Sequence, residues 1–186
     1  MSDTVERAFE VLKQGGIILY PTDTIWGIGC DATNEEACQR IIGLKGRSAE
    51  KSFVLLVDGF PMIEKFIPEF PQVCYDLADY ATRPLTIIYP NAKGLPANVT
   101  AEDGSVGIRI TTDPTCVKLI RSIRKPLVST SANISGQPSP ARFAEIAPEI
   151  ISGVDAVVDL RRNEVMKTPS QIIKIGLDSS VKVIRE

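Results

Sequence analysis

The sequence predicts a mixed α/β fold, in which one twisted sheet of parallel and antiparallel strands is flanked by helices. Helix and strand patterns alternate in the first half of the chain, and short strand patterns cluster in the last third. The apolar runs are too short to cross a membrane. The chain has 186 residues and a formal net charge of −2. We therefore expect one domain over residues 1–186, with no second C-terminal domain.

The first three elements follow from local patterns. Thr4–Gln14 has apolar residues at helical spacing and is stopped by two glycines. Ile17–Tyr20 is a short apolar run typical of a buried strand, and Pro21–Thr24 ends it with polar groups at the carboxyl end, where open sheets bind ligands. Thr33–Glu36 has the spacing of a capping box and predicts the start of a second helix.

The remaining elements are predicted from apolar runs and breakers. Lys45–Arg47 is expected to be an extended loop, and Pro61–Tyr80 one or two helices broken near Pro68 and Pro71. Strands are predicted at Ser52–Val57, Leu85–Tyr89, Val106–Ile110, Leu127–Thr130, Ala156–Leu160, Gln171–Ile175 and Val181–Ile184. Helices are predicted at Pro114–Ile123 and from about Ala141.

The chain contains no histidine. That absence excludes a Ser-His-Asp or Cys-His hydrolase and a histidine-ligated zinc site. The four cysteines lack the paired spacing of a metal or redox site, so we expect reduced, buried thiols in a cytoplasmic protein and no protein-held metal. Gly27 and Gly29 form only half of a dinucleotide-binding fingerprint, so a Rossmann fold is not predicted.

Polar side chains line up on one face of two predicted strands. Side chains two residues apart in a strand share a face. The strand at Val106–Ile110 therefore presents Arg109 on its polar face. The strand ending at Thr130 leads into a segment that aligns Ser129, Ser131 and Asn133.

A third polar stretch is Lys45–Arg47, where Gly46 lets a ligand approach the backbone. In an extended loop, both cations would point the same way. Each stretch alone is common in solvated loops and turns. Only their combination favours a ligand with many anionic oxygens, such as a nucleoside triphosphate.

Four blocks of the sequence resemble the YrdC/YciO family of threonylcarbamoyl-AMP synthases, in its short single-domain form. They are YPTDTIWGIGCDA (Tyr20–Ala32), KGRSAEKSFVLLV (Lys45–Val57), SVGIRI (Ser105–Ile110) and STSANISGQPSP (Ser129–Pro140). Together they span most of the chain.

The resemblance implies a positively charged cavity and a nucleotidyltransferase reaction. ATP would be a substrate, and L-threonine and bicarbonate would be condensed to threonylcarbamoyl-AMP with release of pyrophosphate. The product would pass to a threonylcarbamoyl transferase complex, for the t6A modification of tRNAs that read ANN codons. Mg²⁺ would come with the nucleotide.

The resemblance also assigns residues. Lys45 and Arg47 would be catalytic. The nucleotide would be bound by Lys45, Arg47, Ser105, Ser131, Asn133, Ser139 and Arg185. Threonine would be bound by Thr22, Arg109 and Ser129.

Three positions depart from the usual pattern of the family. Trp26 stands where tyrosine is common, Thr82-Arg83-Pro84 where Pro-Gly-Pro is common, and Pro169-Ser170-Gln171 where a Ser-Thr pair is usual. We expect Arg83 to change the wall of the cavity.

These departures keep one alternative open: a member of the same fold that binds tRNA or double-stranded RNA, or associates with ribosomes, with little synthase activity. Arg121, Arg124 and Lys125 form one candidate cluster for RNA contact, and Arg161-Arg162 another, although both are more simply solvated surface. The slightly negative net charge weighs against this alternative.

Overall fold

The computed structural model describes residues 3–46 and 53–186, which form a nine-stranded mixed sheet with helices on both faces. The strands are β1 (Ile18–Tyr20), β2 (Gly27–Gly29), β3 (Val54–Val57), β4 (Leu85–Tyr89), β5 (Val106–Ile110), β6 (Leu127–Ser131), β7 (Ala156–Val157), β8 (Gln171–Ile175) and β9 (Val181–Arg185). The helices are α1 (Asp3–Lys13), α2 (Glu35–Lys45), α3 (Phe60–Ile63), α4 (Val73–Asp79), α5 (Pro114–Ile123) and α6 (Pro148–Gly153).

The strand order is β7-β1-β2-β6-β3-β5-β4-β8-β9. The pairs β1–β7, β3–β5 and β4–β8 are parallel, and the other pairs are antiparallel. This mixture confirms the predicted fold class.

The two faces of the sheet are covered differently. Leu55, Ile87 and Ile108 point into the larger core cluster on one face. On the other face, Leu56 and Leu127 pack in the smaller cluster with residues of α1 and α5. That second face therefore has an apolar cover at one end.

Next to this cover, the same face carries small side chains. The register places Val54 of β3 opposite Gly107 of β5 on one side and Ser129 of β6 on the other. A methyl group on Gly107 would lie 3.2 Å from Thr86 Cγ2. Small residues in neighbouring strands leave room above the sheet, and the candidate site lies there.

Helix α2 differs from the prediction at both ends. Its N-cap is Asn34, one residue after the predicted Thr33, and the Asn34 side chain accepts a hydrogen bond from the Ala37 amide. The helix continues through Lys45 and ends at Gly46, which has a φ of 57°. The expected extended loop is therefore wrong at Lys45 and Gly46; Arg47 lies outside the described residues.

Strand β2 was not predicted, because two of its three residues are glycines, which are rare in strands. A methyl group on Gly29 would lie only 2.4 Å from the Val128 carbonyl oxygen. The close approach of β1 and β6 explains the glycine at this position.

Two predictions near the C-terminus are wrong. Instead of a helix from about Ala141, Phe143–Glu145 form a 3₁₀ turn and α6 begins at Pro148. The predicted strand Ala156–Leu160 is shorter, since β7 ends at Val157. The strand predicted from Ser52 begins at Val54, and Ser52 itself is not among the described residues.

The other predicted elements are confirmed to within a few residues at their ends. No helix in the two described ranges is long and apolar enough to cross a membrane.

Candidate active site

A cavity of about 420 Å³ opens on the sheet face that carries Val54 and Ser129. Its walls include seven of the residues predicted as ligands: Lys45, Arg109, Ser129, Ser131, Asn133, Ser139 and Arg185. Among the described residues that line it, three are cations and none is a carboxylate. The cavity therefore offers fixed positive charge together with hydroxyls and an amide, which suits a ligand rich in anionic oxygens.

Arg109 is a deeply buried cation of the site, with only 3% of its surface exposed. Its Nη2 lies 3.0 Å from Asp23 Oδ1, and its Nη1 donates a hydrogen bond of 3.1 Å to Thr24 Oγ1. Its Nε–H is buried without a hydrogen-bond partner among the described residues. A buried charged donor without a partner is costly, so this group is suited to a bound anion.

Thr22 lies behind Thr24 and does not line the cavity. Its hydroxyl accepts hydrogen bonds from the amides of Thr24 (3.0 Å) and Ile25 (3.2 Å) and donates one of 2.7 Å to the Ile25 carbonyl. In this arrangement, Thr22 shapes the turn that presents Thr24. Sequence reasoning missed Thr24, because residues 21–25 form a turn rather than a strand and alternation does not determine which of their side chains faces the cavity.

The same turn is held from behind by Arg161. Its Nη1 donates to the Thr22 carbonyl at 3.0 Å and lies 2.9 Å from Asp113 Oδ2. Arg162 forms an ion pair with Asp159 and stacks 4.1 Å from the centroid of the Phe143 ring. The prediction of a merely solvated cluster is therefore wrong for Arg161, which is partly buried, whereas Arg162 remains exposed.

Lys45 projects from the last turn of α2 and is 3% exposed. Its Nζ donates to the carbonyl oxygens of Ser131 and Asn133, the latter at 2.6 Å. The Ser135 amide in turn donates to the Lys45 carbonyl at 2.8 Å. Lys45 thus fixes the end of β6 against the end of α2.

Asn133 shapes the loop that follows β6. Its Nδ2 donates to the carbonyls of Ile134 (3.0 Å) and Gln137 (2.7 Å). Its Oδ1 is buried with no hydrogen-bond partner in the described part of the chain. The amide therefore orders the loop that leads to Ser139 and keeps one acceptor for a ligand.

Arg185 enters the cavity from β9, the strand at the edge of the sheet. Its Nε and Nη2 donate to the Ser170 carbonyl at 2.9 and 2.7 Å. Burial, followed by the nearby charge of Arg109, lowers the pKa of Arg185. The two guanidinium groups therefore repel each other, and an anion bound between them would relieve that repulsion.

Sequence reasoning missed Ser170, which lines the cavity, and Thr86, which supports it from the neighbouring strand. Their hydroxyls are 2.8 Å apart and both side chains are buried. Thr86 pairs with Ile172, and Ile172 with Arg185, so one row of residues crosses the sheet here. Only the unexpected sequence at Pro169–Gln171 hinted at this position.

Ser105 lies away from the cavity wall. Its hydroxyl donates to Asp103 Oδ1 at 2.5 Å, and its amide donates to the same oxygen at 3.0 Å. The Lys174 ammonium, together with these bonds, lowers the pKa of Asp103 to about 2. Ser105 therefore belongs to a polar cluster with Asp103 and Lys174 at the start of β5.

Two of the unusual positions do not alter this cavity. Trp26 is fully buried and packs edge-on against Phe143, with the ring centroids 5.2 Å apart. Arg83 lines a second cavity. The expectation that Arg83 changes the wall of the cavity holding Arg109 is therefore wrong.

A family model decides the classification. Residues 10–186 match the Sua5_yciO_yrdC model, whose description is "Telomere recombination". The chain belongs to the Sua5/YciO/YrdC family. This confirms the resemblance found in the four sequence blocks.

Curated relatives within the family carry an enzyme's name. A threonylcarbamoyl-AMP synthase of Pseudoalteromonas translucida is 35% identical over 164 residues, covering 86% of this chain and 88% of the relative. A threonylcarbamoyl-AMP synthase of Acinetobacter baumannii is 36% identical over 144 residues, covering 74% and 76%.

Solved structures of the family share the fold. P. abyssi Sua5 complexed with L-threonine superposes with a TM-score of 0.82 at 27% identity, covering 92% of this chain and 50% of that one. The chain thus spans half the length of that Sua5 protein. E. coli YciO superposes with a TM-score of 0.82 at 21% identity, covering 98% of this chain and 88% of that one.

Proposed function

We propose that this protein is a threonylcarbamoyl-AMP synthase that condenses L-threonine, bicarbonate and ATP and releases pyrophosphate. One observation carries the proposal: three cations, Lys45, Arg109 and Arg185, line the same cavity as the row Ser129, Ser131 and Asn133. The described lining of that cavity contains no carboxylate. The names of the curated relatives and of the threonine complex of Sua5 support it.

Arg109 would bind the carboxylate of threonine. Its Nε–H is free for a ligand, and Thr24 and Asp23 fix the orientation of its guanidinium. A fixed guanidinium binds a carboxylate with charge-assisted hydrogen bonds. Ser129, on β6 across the intervening strand β3, lines the same cavity and would contact the same substrate.

Lys45, Arg185 and the hydroxyls of Ser131 and Ser139 would bind the phosphates of ATP. The free Oδ1 of Asn133 would accept a hydrogen bond from the nucleoside. Arg47 would add a further cation close to Lys45 in sequence. Because positive charge is already fixed in the wall, it can stabilise negative charge that develops on the phosphates during transfer.

The substrates themselves would supply the nucleophile. The amine of threonine would attack CO₂ derived from bicarbonate, form a C–N bond and lose a proton to give a carbamate. A carbamate oxygen would then attack the α-phosphorus of ATP, while the bond to the β-phosphate breaks and pyrophosphate leaves. No protein nucleophile and no histidine is needed, so catalysis would come from positioning and electrostatics.

Magnesium would be carried by the nucleotide. Carboxylates are usual protein ligands of Mg²⁺, and the described cavity wall contains none. The residues present therefore fit a triphosphate that brings its own cation better than a metal held by the protein.

The product would serve the t6A modification of tRNA through a separate threonylcarbamoyl transferase complex. The reaction is tested by measuring pyrophosphate release and identifying the adenylate by mass spectrometry. Release should require ATP, threonine and bicarbonate together, and omission of any one should abolish it. Pyrophosphate release that does not need threonine, or no adenylate product from folded protein, would contradict the proposal.

A further inference from the structure

A second cavity of about 560 Å³ lies on the opposite face of the sheet. Its floor is formed by isoleucines of β4 and β5, Ile87 and Ile108, both nearly fully buried. Ile63 of α3 and Ala78 of α4 contribute to its walls. The deeper part of the cavity lining is therefore mostly apolar.

Charged groups line this cavity as well: Asp23, Asp79 and Arg83. Asp23 is already neutralised by Arg109, at 3.0 Å. Asp79 and Arg83 are exposed, and neither has an ion-pair partner in residues 3–46 or 53–186. The cavity thus combines an apolar interior with one carboxylate and one guanidinium that are not yet paired.

We propose that this cavity binds a zwitterionic amino acid with a large apolar side chain. The side chain would occupy the space above Ile87 and Ile108, and burial of its apolar surface would favour binding. The ligand's carboxylate would pair with Arg83 and its ammonium with Asp79. Ligand sites commonly have this composition, an apolar interior with a few polar groups that fix orientation.

The charges also exclude other ligand classes. With Asp23 paired to Arg109, the lining offers a single unpaired cation, Arg83, and the carboxylate of Asp79 would oppose the further negative charges of a nucleotide or another polyanion. A neutral hydrocarbon would leave Asp79 and Arg83 without partners. A small polar amino acid such as threonine would leave the apolar interior unfilled, so this site differs from the one proposed for substrate.

The test is a titration of the full chain, labelled at the isoleucine δ1-methyl groups, with L-phenylalanine and NMR detection. Saturable shifts are expected at Ile63, Ile87 and Ile108 of the second cavity, and none at Ile25 and Ile172 of the first. No shift up to the solubility limit, or shifts confined to Ile25 and Ile172, would overturn the proposal.

Variants and analogues test the charge pairing. Arg83→Gln should weaken L-phenylalanine binding about tenfold or more, as expected for a lost charge-assisted bond. Arg7→Gln, which changes an exposed arginine of α1, should leave it unchanged. 3-Phenylpropionate and phenethylamine each lack one charge and should bind more weakly than L-phenylalanine. Equal binding by either analogue, or by Arg83→Gln, would refute recognition of a zwitterion.

Discussion

Arg109 and Asp23 form a partly buried ion pair of 3.0 Å between the middle of the sheet and the turn that follows β1. Thr24, the next residue in that turn, accepts a second hydrogen bond from the same guanidinium. The Pro21–Thr24 turn therefore sets the direction of Arg109 before any ligand binds. Such preorganisation lowers the cost of ordering the site when substrate enters.

Asp23→Asn tests this positioning role. It removes the charge that orients Arg109 while keeping a hydrogen-bonding side chain of the same shape. We expect the KM for threonine to rise about tenfold or more, by analogy with a lost charged hydrogen bond, and the KM for ATP to stay nearly unchanged. Steady-state pyrophosphate release measures both.

Asp58→Asn is the matched control, because Asp58 also pairs with an arginine at 3.0 Å, but that partner, Arg121, is 69% exposed. Its kinetics should equal those of the original chain. If Asp23→Asn left the KM for threonine unchanged, or raised both KM values equally, Asp23 would not be a positioning residue for Arg109.

Lys45→Met removes the cation that binds the carbonyls of Ser131 and Asn133. We expect turnover to fall at least about a hundredfold, the scale seen when a preorganised electrostatic donor is lost. Lys13→Met, which breaks only a surface pair with Glu10, should retain full turnover. Unchanged turnover in a folded Lys45→Met protein would remove Lys45 from the mechanism.

The sequence was informative where a feature depends on neighbours in the chain. Arg109 was predicted on the polar face of its strand because alternation along β5 alone determines it. The Ser129–Ser131–Asn133 row followed from the same rule, and all four side chains line the cavity.

Most of the features that were missed depend on distant residues, and one local feature, the end of α2, was misinterpreted. Ser170 and Thr86 meet only because β8 pairs with β4, a register between strands more than 80 positions apart. The helical state of Lys45 was missed because Gly46 was interpreted as a loop residue rather than as the left-handed C-cap of α2. Strand β2 was not predicted because its glycines are required by packing against β1 and β6, and the sequence of β2 alone does not show those neighbours.

The Asp103–Lys174 pair predicts an acid-dependent change in stability. The pKa of Asp103 is lowered in the folded state to about 2 from 3.8. Its contribution to the free energy of unfolding is therefore complete above about pH 4 and is lost as the pH falls towards 2. Both side chains are more than a third exposed, at 55% and 41%, so solvent screening limits the effect to about 1 kcal/mol or less.

Urea unfolding of the original chain and of Asp103→Asn should therefore differ most near neutral pH, with the original chain more stable, and converge as the pH approaches 2. Glu102→Gln removes the adjacent carboxylate, which has no ion-pair partner among the described residues, and controls for net charge. A stability difference that stays constant down to pH 2 would contradict the assigned pKa.

The four cysteines are expected to be unreactive in the folded chain. All are free and buried. A hydrogen bond to Cys38 and burial raise the pKa of Cys30 well above its usual value, and burial raises that of Cys74 to about 11. Since the thiolate is the reactive form, little reaction is expected at pH 8.

A thiol titration with a disulfide reagent at pH 8 should detect fewer than one thiol per folded chain and all four in guanidinium chloride. Cys74→Ala should lower the denatured count by one and leave the native rate unchanged. Rapid reaction of any thiol in the folded chain would show that its burial has been misjudged.

Gly29→Ala tests the packing that supports the candidate site. A methyl group there would lie 2.4 Å from the Val128 carbonyl oxygen and 2.7 Å from Tyr20 Cε1. That same carbonyl accepts a hydrogen bond of 2.9 Å from the Tyr20 hydroxyl. Overpacking should lower the free energy of unfolding by about 1–3 kcal/mol, as measured by urea denaturation.

Gly43→Ala is the matched control, because a methyl group on Gly43, exposed within α2, would meet nothing within 4 Å. It should raise the free energy of unfolding by about 0.5–1 kcal/mol, since glycine is a poor helix former. Because β2 pairs with β6 beside Ser131, Gly29→Ala should also reduce turnover, whereas Gly43→Ala should not. If both alanine variants had the same stability, the close contact of β2 with Tyr20 and Val128 would not be what requires glycine at position 29.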